Sequence, residues 1–389
     1  MQQNQNDGTA PQDYPLDGIR VVDFTHVLSG PYCTMLLADL GADVVKIERP
    51  DRGDENRRMR SYPGRTPEDE DYFYPMNRNK RSIEVNLKDP DQRPRLEALI
   101  READVVVENF TPGTMKKLGL DYDSLRKINP GLIYCSISGY GQTGPYRDRR
   151  AYDSIIQAVA GVMSITGEPD GPPARAGLMF ADLSGAMYAF SSILTSLYAR
   201  EKTGKGNFID LSMSDALLSL YSTNAAEYMA VGRVPGRAGS ENPGRSPTGS
   251  YVCADGKYIQ IMGGSDTLWP RFCEVIGVDG LAEDPRFVSN ETRIKNRIAL
   301  REILTPVLDS QASDHWVEAF NRIGVPAAPI NTLADVLDDD HFRAREMELQ
   351  LTHPKSGTIR TINNPFRFSA YRTWKTNPPP LLGQHNDDL

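Results

Sequence analysis

Apolar positions in the first half of the chain fall into two alternating patterns. Short runs rich in β-branched residues, at 18–24, 43–47, 82–87, 105–108 and 132–138, read as strands. Between them, 31–40 has helical spacing and stops at Gly41, and 90–101 places Leu96, Leu99 and Ile100 on one face. Strand and helix taken in turn predict a parallel sheet in a doubly wound, Rossmann-like α/β domain. Helical patterns follow at 154–163, 186–200 and 215–229, with a strand at 208–212. Ligands of such sheets bind beyond the carboxyl ends of the strands, which marks the loops beginning at His26, Arg49, Asn109 and Tyr140. The turn after the first strand lacks G-x-G-x-x-G, so a dinucleotide fingerprint is not supported.

The pattern changes at 232–248, which is rich in Gly, Pro and Arg and reads as a linker or mobile loop. A smaller α+β unit is expected over 249–325. It opens with a hairpin, 250–253 and 258–261, and continues with helices near 268–275, 296–308 and 315–322. Strand pattern resumes at 327–330, and 326–389 is expected to complete the large domain of 15–231. Residues 1–14 are polar and lack a basic start and an apolar stretch, so they read as a disordered tail and not as a signal peptide.

One acidic residue stands out. Asp182, within Gly-Leu-Met-Phe-Ala-Asp-Leu-Ser-Gly (177–185), lies just ahead of the helical run. A carboxylate there meets backbone N–H groups and the positive end of the helix dipole. Two readings follow, a simple N-cap or a carboxylate nucleophile.

Charge narrows the partners. The net charge of −8 argues against non-specific nucleic-acid binding. No apolar run approaches the length of a membrane span. The four cysteines lie far apart without a C-x-x-C pair, which suits a reducing cytoplasm and argues against a zinc site. Basic residues nevertheless cluster: Arg49, Arg52, Arg57, Arg58 and Arg60, then Arg78, Lys80, Arg81 and Lys88, then Arg147, Arg149 and Arg150. Such clusters on an acidic chain fit a small polyanion or a solvated face.

The motifs 15–24 (PLDGIRVVDF), 40–48 (LGADVVKIE), 79–84 (NKRSIE), 103–113 (ADVVVENFTPG), 203–213 (TGKGNFIDLSM) and 380–385 (PLLGQH), with the Asp182 stretch among them, resemble family III CoA-transferases, the CaiB/BaiF group. The likeness runs from Pro15 nearly to the C-terminus. It implies that Asp182 is the nucleophilic aspartate and that coenzyme A, as acyl-CoA, is a substrate, with no tightly bound cofactor and no metal. It implies CoA contacts at His26, Val27, Leu28 and Ser29, where a Gln often stands in place of Leu28, and at Arg49, Val85, Lys88, Asn109, Phe110, Lys117, Leu118 and Arg150. Tyr152 and Asp153 match positions at the active-site mouth. Related 2-methylacyl-CoA racemases carry a histidine where this chain has Tyr152. A racemase needs an acid–base pair across the α-carbon, so transferase is the reading preferred over racemase or isomerase. A non-catalytic acyl-CoA-binding protein is the third alternative. The resemblance also implies an interlocked homodimer in the cytoplasm, without nucleic-acid or membrane partners. Arg175, Arg237 and Arg245 are candidates to hold a second carboxylate of a dicarboxylic acid.

Overall fold

The computed structural model describes residues 13–59 and 70–388. Most of the expected tail and the middle of the 51–79 loop, including Arg60, lie outside that range. Two compact units emerge. One comprises 1–162, 176–226 and 340–389, the other 163–175 and 227–339.

The first unit is built on a six-stranded parallel sheet: β1 (Arg20–Asp23), β2 (Asp43–Glu48), β3 (Arg81–Glu84), β4 (Val105–Glu108), β5 (Ile133–Ser138) and β6 (Asn207–Ser212). Its order is β3-β2-β1-β4-β5-β6, the doubly wound arrangement predicted from the alternation. Successive strand residues face opposite layers. Val21, Val105, Val107, Ile133 and Cys135 pack with Cys33, Leu36 and Leu37 of helix α1 (Ser29–Asp39). Val22, Val106 and Tyr134 pack with Leu96 and Ile100 of α2 (Arg93–Glu102). Burial on both faces is why these strands read as nearly continuous apolar runs. Strand order reverses between β1 and β4, so their following loops border the crevice where such sheets bind ligands.

The helix after residue 176 starts earlier than its sequence suggests. α3 (Asp153–Val159) is followed by the long α4 (Phe180–Thr203) and, after β6, by α5 (Met213–Ser219). Gly177 and Gly185 give 177–185 a loop-like composition, yet Gly185 is helical. A Cβ there would lie 2.9 Å from Met213 Cγ and 3.3 Å from Ser29 Oγ, so glycine serves close packing of α4 on α1 and α5. Asp182 is therefore the third residue of the helix. The N-cap position belongs to Met179, which has no side chain able to cap.

An antiparallel hairpin, Glu348–His353 with Gly357–Ile362, completes this unit and was not anticipated. In the second unit an antiparallel sheet, β7 (Thr248–Val252), β8 (Tyr258–Met262) and β9 (Ala327–Pro329), packs with helices Trp269–Ile276, Arg297–Leu308 and Ser313–Arg322. Trp269, Phe272, Trp316 and Phe320 stack at its centre. Residues 232–248, expected as a linker, group with this unit, where Arg293 Nε donates to the Ser246 carbonyl at 2.7 Å.

Candidate active site

Beyond the carboxyl ends of β1, β2 and β3 lies a pocket of about 890 Å³. Its wall includes His26, Arg49, Val85, Lys88, Phe110, Lys117 and Leu118, seven of the residues nominated from sequence. Val85 is buried, Phe110 half-buried, and Arg49, Lys88 and Lys117 are exposed. Arg52, Arg58, Thr114 and Leu87 also line it. Among the described residues, Arg49, Arg52, Lys88 and Lys117 make no ion pair, in contrast to the cations around them. Arg57 is held by Glu48 and Glu70, Arg78 by Asp39, Lys80 by Asp23 and Arg81 by Asp43. Arg57, Arg78, Lys80 and Arg81 are thus structural cations, tied down in or beside the core, whereas Arg49, Arg52, Lys88 and Lys117 remain open to a polyanion in the pocket.

The loop after β1 is clamped at the backbone N–H and C=O of both His26 and Val27. His26 N donates to Asn109 Oδ1 at 2.9 Å and His26 O accepts from Asn109 Nδ2 at 2.8 Å. Val27 N donates to Asp54 Oδ1 at 3.2 Å and Val27 O accepts from Asn56 Nδ2. Val27 has φ 68°, a left-handed conformation that is strained for a β-branched residue. The His26 ring meets Phe110 edge to face, with centroids 4.4 Å apart. Burial, then the charge of Lys46, pulls His26 below the usual imidazole range, so it is neutral and not a cationic phosphate ligand. Phe110 is aimed by Glu108, whose Oε2 accepts from Phe110 N at 2.8 Å. Leu28 and Ser29 are buried at the start of α1. Ser29 Oγ lies in contact range of Gly185, one turn beyond Asp182, so one short loop joins the pocket wall to the Asp182 helix.

Asp182 is half-buried in the first turn of α4. The capping that was one of its two readings from sequence is performed by Asp153. Asp153 Oδ1 accepts from Ala181 N at 2.9 Å and from Asp182 N at 3.4 Å, while Oδ2 accepts from Gln157 Nε2 at 2.7 Å. Gln157 Oε1 in turn accepts from Ala176 N at 2.9 Å. With the amides occupied by another residue, the Asp182 side chain is released from capping. Burial, and then the charge of Asp153, pushes its carboxyl up to about 7. Tyr152, the residue before Asp153, is exposed, and Arg150 is exposed nearby in sequence; neither lines the pocket. Gln157 and Arg52 were not nominated from sequence. Arg52 stood in a basic cluster, whereas a lone Gln within a helix gives no signal.

This arrangement predicts a pH profile. As the nucleophile that the resemblance implies, Asp182 would work ionised, so acylation through it should fall about tenfold per pH unit below 7 and level off above it. Asp153→Asn keeps an oxygen facing the two amides but removes the charge. Its midpoint, read from single-turnover acylation rates, should move to lower pH; an unmoved midpoint would leave Asp153 a cap only.

A doubly wound α/β unit with a cation-lined pocket, and with a carboxylate on α4 that is not used for capping, suits an enzyme acting on an anionic ligand. Residues 16–386 match the model of CoA-transferase family III. The chain is 42% identical to acetyl-CoA:oxalate CoA-transferase of Acetobacter aceti, over 92% of this chain and 90% of that one. It is 37% identical to succinate–glutarate CoA-transferase of Agrobacterium fabrum, over 95% and 94%. A CAIB/BAIF family protein from Brucella suis superposes with a TM-score of 0.86 at 38% identity, covering 97% of this chain and 98% of that structure. The chain belongs to CoA-transferase family III and is an enzyme of that family.

Proposed function

We propose that the protein moves CoA from an acyl-CoA donor to a carboxylic acid acceptor through Asp182. The observation that carries this reading is the Asp182 carboxyl in the first turn of α4, relieved of capping by Asp153 and linked through loop 25–29 to the pocket. Asp182 attacks the donor thioester carbonyl, giving an aspartyl–acyl anhydride and CoA thiolate. The thiolate attacks the aspartyl carbonyl, giving an aspartyl–CoA thioester and the donor acid. The acceptor carboxylate then displaces the thiolate to form a second anhydride. Thiolate attack on the acceptor carbonyl yields the new acyl-CoA and restores Asp182. The CoA diphosphate and ribose phosphate suit Arg49, Arg52, Lys88 and Lys117, and Val85, Phe110 and Leu118 give the adenine an apolar setting.

In this sequence the bridging oxygen of each anhydride comes from a carboxylate. Acceptor labelled with oxygen-18 should therefore place one label in Asp182 per turnover, and the donor acids of the following turnovers should carry it away. Released donor acid without label over many turnovers would exclude this route.

The substrates are proposed to be short dicarboxylic acids, because relatives are named for oxalate, glutarate and mesaconate. Of the three arginines suggested for the second carboxylate, Arg237 donates instead to the carbonyls of Glu168 and Pro169. Arg245 makes no side-chain hydrogen bond or ion pair among the described residues. Arg245→Ala should raise KM for a dicarboxylic acceptor about tenfold and leave that for a monocarboxylic one within about twofold. Equal effects on both would remove Arg245 from acceptor selection.

A cytoplasmic homodimer is part of the same proposal. No helix among the described residues is long and apolar enough to cross a membrane. Met187, Tyr188 and Tyr198 of α4 are 41%, 39% and 65% exposed, an apolar face suited to a second copy. Light scattering should give a mass near twice 43.3 kDa; a monomer at micromolar concentration would contradict it.

A further inference from the structure

The C-terminal motif Pro-Leu-Leu-Gly-Gln-His (380–385) takes no part in the chemistry above, yet it reaches the floor of the pocket through buried groups. It runs beside β3, the edge strand of the sheet. His385 N donates to Ser82 O at 2.9 Å, Ser82 N to His385 Nδ1 at 3.1 Å, and Glu84 N to Asn386 Oδ1 at 2.8 Å. The tail thereby satisfies backbone groups that an edge strand otherwise leaves open. Glycine is favoured at 383. Its φ is 65°, and a Cβ would fall 2.5 Å from Glu84 Oε2.

From this seam a chain of contacts leads inward. Gly383 N donates to Ser82 Oγ at 3.1 Å, and Ser82 Oγ donates to Glu48 Oε1 at 2.6 Å. The carbonyl of Pro380 accepts from Arg57 Nη2 at 3.1 Å, and Arg57 grips both Glu48 oxygens at 2.7 and 2.8 Å. Glu48 Oε2 accepts from Asp54 N at 2.9 Å. Asp54 pairs with Lys46 at 2.9 Å and accepts from Val27 N. Ser82, Glu48, Arg57 and Asp54 are all buried. Polar groups so enclosed depend on every partner, since losing one leaves the next unpaired in a low-dielectric setting. The relay ends on the strained Val27 peptide, a conformation that persists only where its surroundings hold it.

We propose that residues 380–386 act as a positioning latch for the CoA pocket, holding loop 25–29 in its binding form through Ser82, Glu48, Arg57 and Asp54. The proposal rests on the assignment of this pocket to CoA. Coupling of this kind is reciprocal, so CoA in the pocket must tighten the tail.

Hydrogen exchange on the full-length protein, with and without CoA, tests both directions. With CoA at saturation, amides in 46–58, 85–88 and 110–118 should slow, and those of Gly383 and His385 should slow at least about fivefold although they do not line the pocket. Ser82→Ala should raise KM for acyl-CoA at least about fivefold, by more than it lowers kcat, and should abolish the CoA-dependent protection of the tail. A general loss of stability would lower active enzyme without that split between KM and kcat. Protection of the pocket segments with unchanged exchange at 381–386, together with an unchanged KM in Ser82→Ala, would overturn the latch while leaving the pocket assignment intact. Absence of protection at the pocket segments themselves would overturn the CoA assignment and the latch with it.

Discussion

Asp182→Ala and Asp182→Asn should each lower kcat by about 10⁴-fold or more, because in the proposed route every step of the transfer passes through this carboxylate. Neither an amide nor a methyl can form an anhydride with the donor acyl group. CoA should still bind, since the pocket lies on β1, β2, β3 and the loop after β4, away from α4 in sequence. The two variants also report on a cost built into the fold. The Asp182 carboxyl is raised to about 7 in the folded protein against 3.8 in the unfolded chain. The folded state therefore holds its proton more tightly, and stability is lost as pH rises from about 4 through 7. Asp182→Asn removes that penalty. At pH 8 it should be more stable than the native enzyme by about 1–3 kcal/mol, and the gain should vanish at pH 4. A variant inactive yet increasingly more stable as pH rises above about 4 is the signature of a carboxyl kept for chemistry. A denaturant series at the two pH values, read beside the residual rate, checks both parts.

Arg49→Ala combined with Lys117→Ala should raise KM for acyl-CoA about 100-fold, with the larger share of the effect in KM. Each side chain is exposed in the pocket wall and makes no ion pair among the described residues, so its charge is available to phosphate. A charge-assisted hydrogen bond contributes about 1.5–3 kcal/mol, which makes tenfold per cation a moderate expectation. The native KM should rise with ionic strength, and the double variant should show a weaker dependence. Replacing Arg57 would give a different outcome. Arg57 is locked to buried Glu48 and lies under the Pro380 carbonyl, so its loss should lower stability as well as affinity. Steady-state kinetics across a salt series, set beside thermal melts, separates the two classes of cation.

That separation shows where sequence reasoning stops. The parallel sheet was legible because its strands are buried on both faces and read as apolar runs of the right length. The strand-end loops were legible from topology, and seven of the fourteen nominated contact residues do meet in one pocket. Which arginine binds a ligand was not legible. Arg57 and Arg78 find their carboxylates in Glu48 and Asp39, residues brought beside them only by the folded β–α–β unit. The start of α4 was missed because Gly185 resembles a breaker, whereas its role is close contact with Met213 and Ser29. The capping role of Asp153 was hidden by distance along the chain: the acceptor lies twenty-eight residues before the amide of Ala181. The 348–362 hairpin had a signal, since its first strand alternates buried and exposed positions from Leu349 to His353.

The most direct test of covalent carriage is peptide mapping after incubation of the enzyme with acyl-CoA and quenching with hydroxylamine. An aspartyl–CoA thioester or anhydride at Asp182 should convert to a hydroxamate on the 177–185 segment, dependent on acyl-CoA and absent from Asp182→Ala. An unmodified segment in enzyme that is turning over would contradict the account.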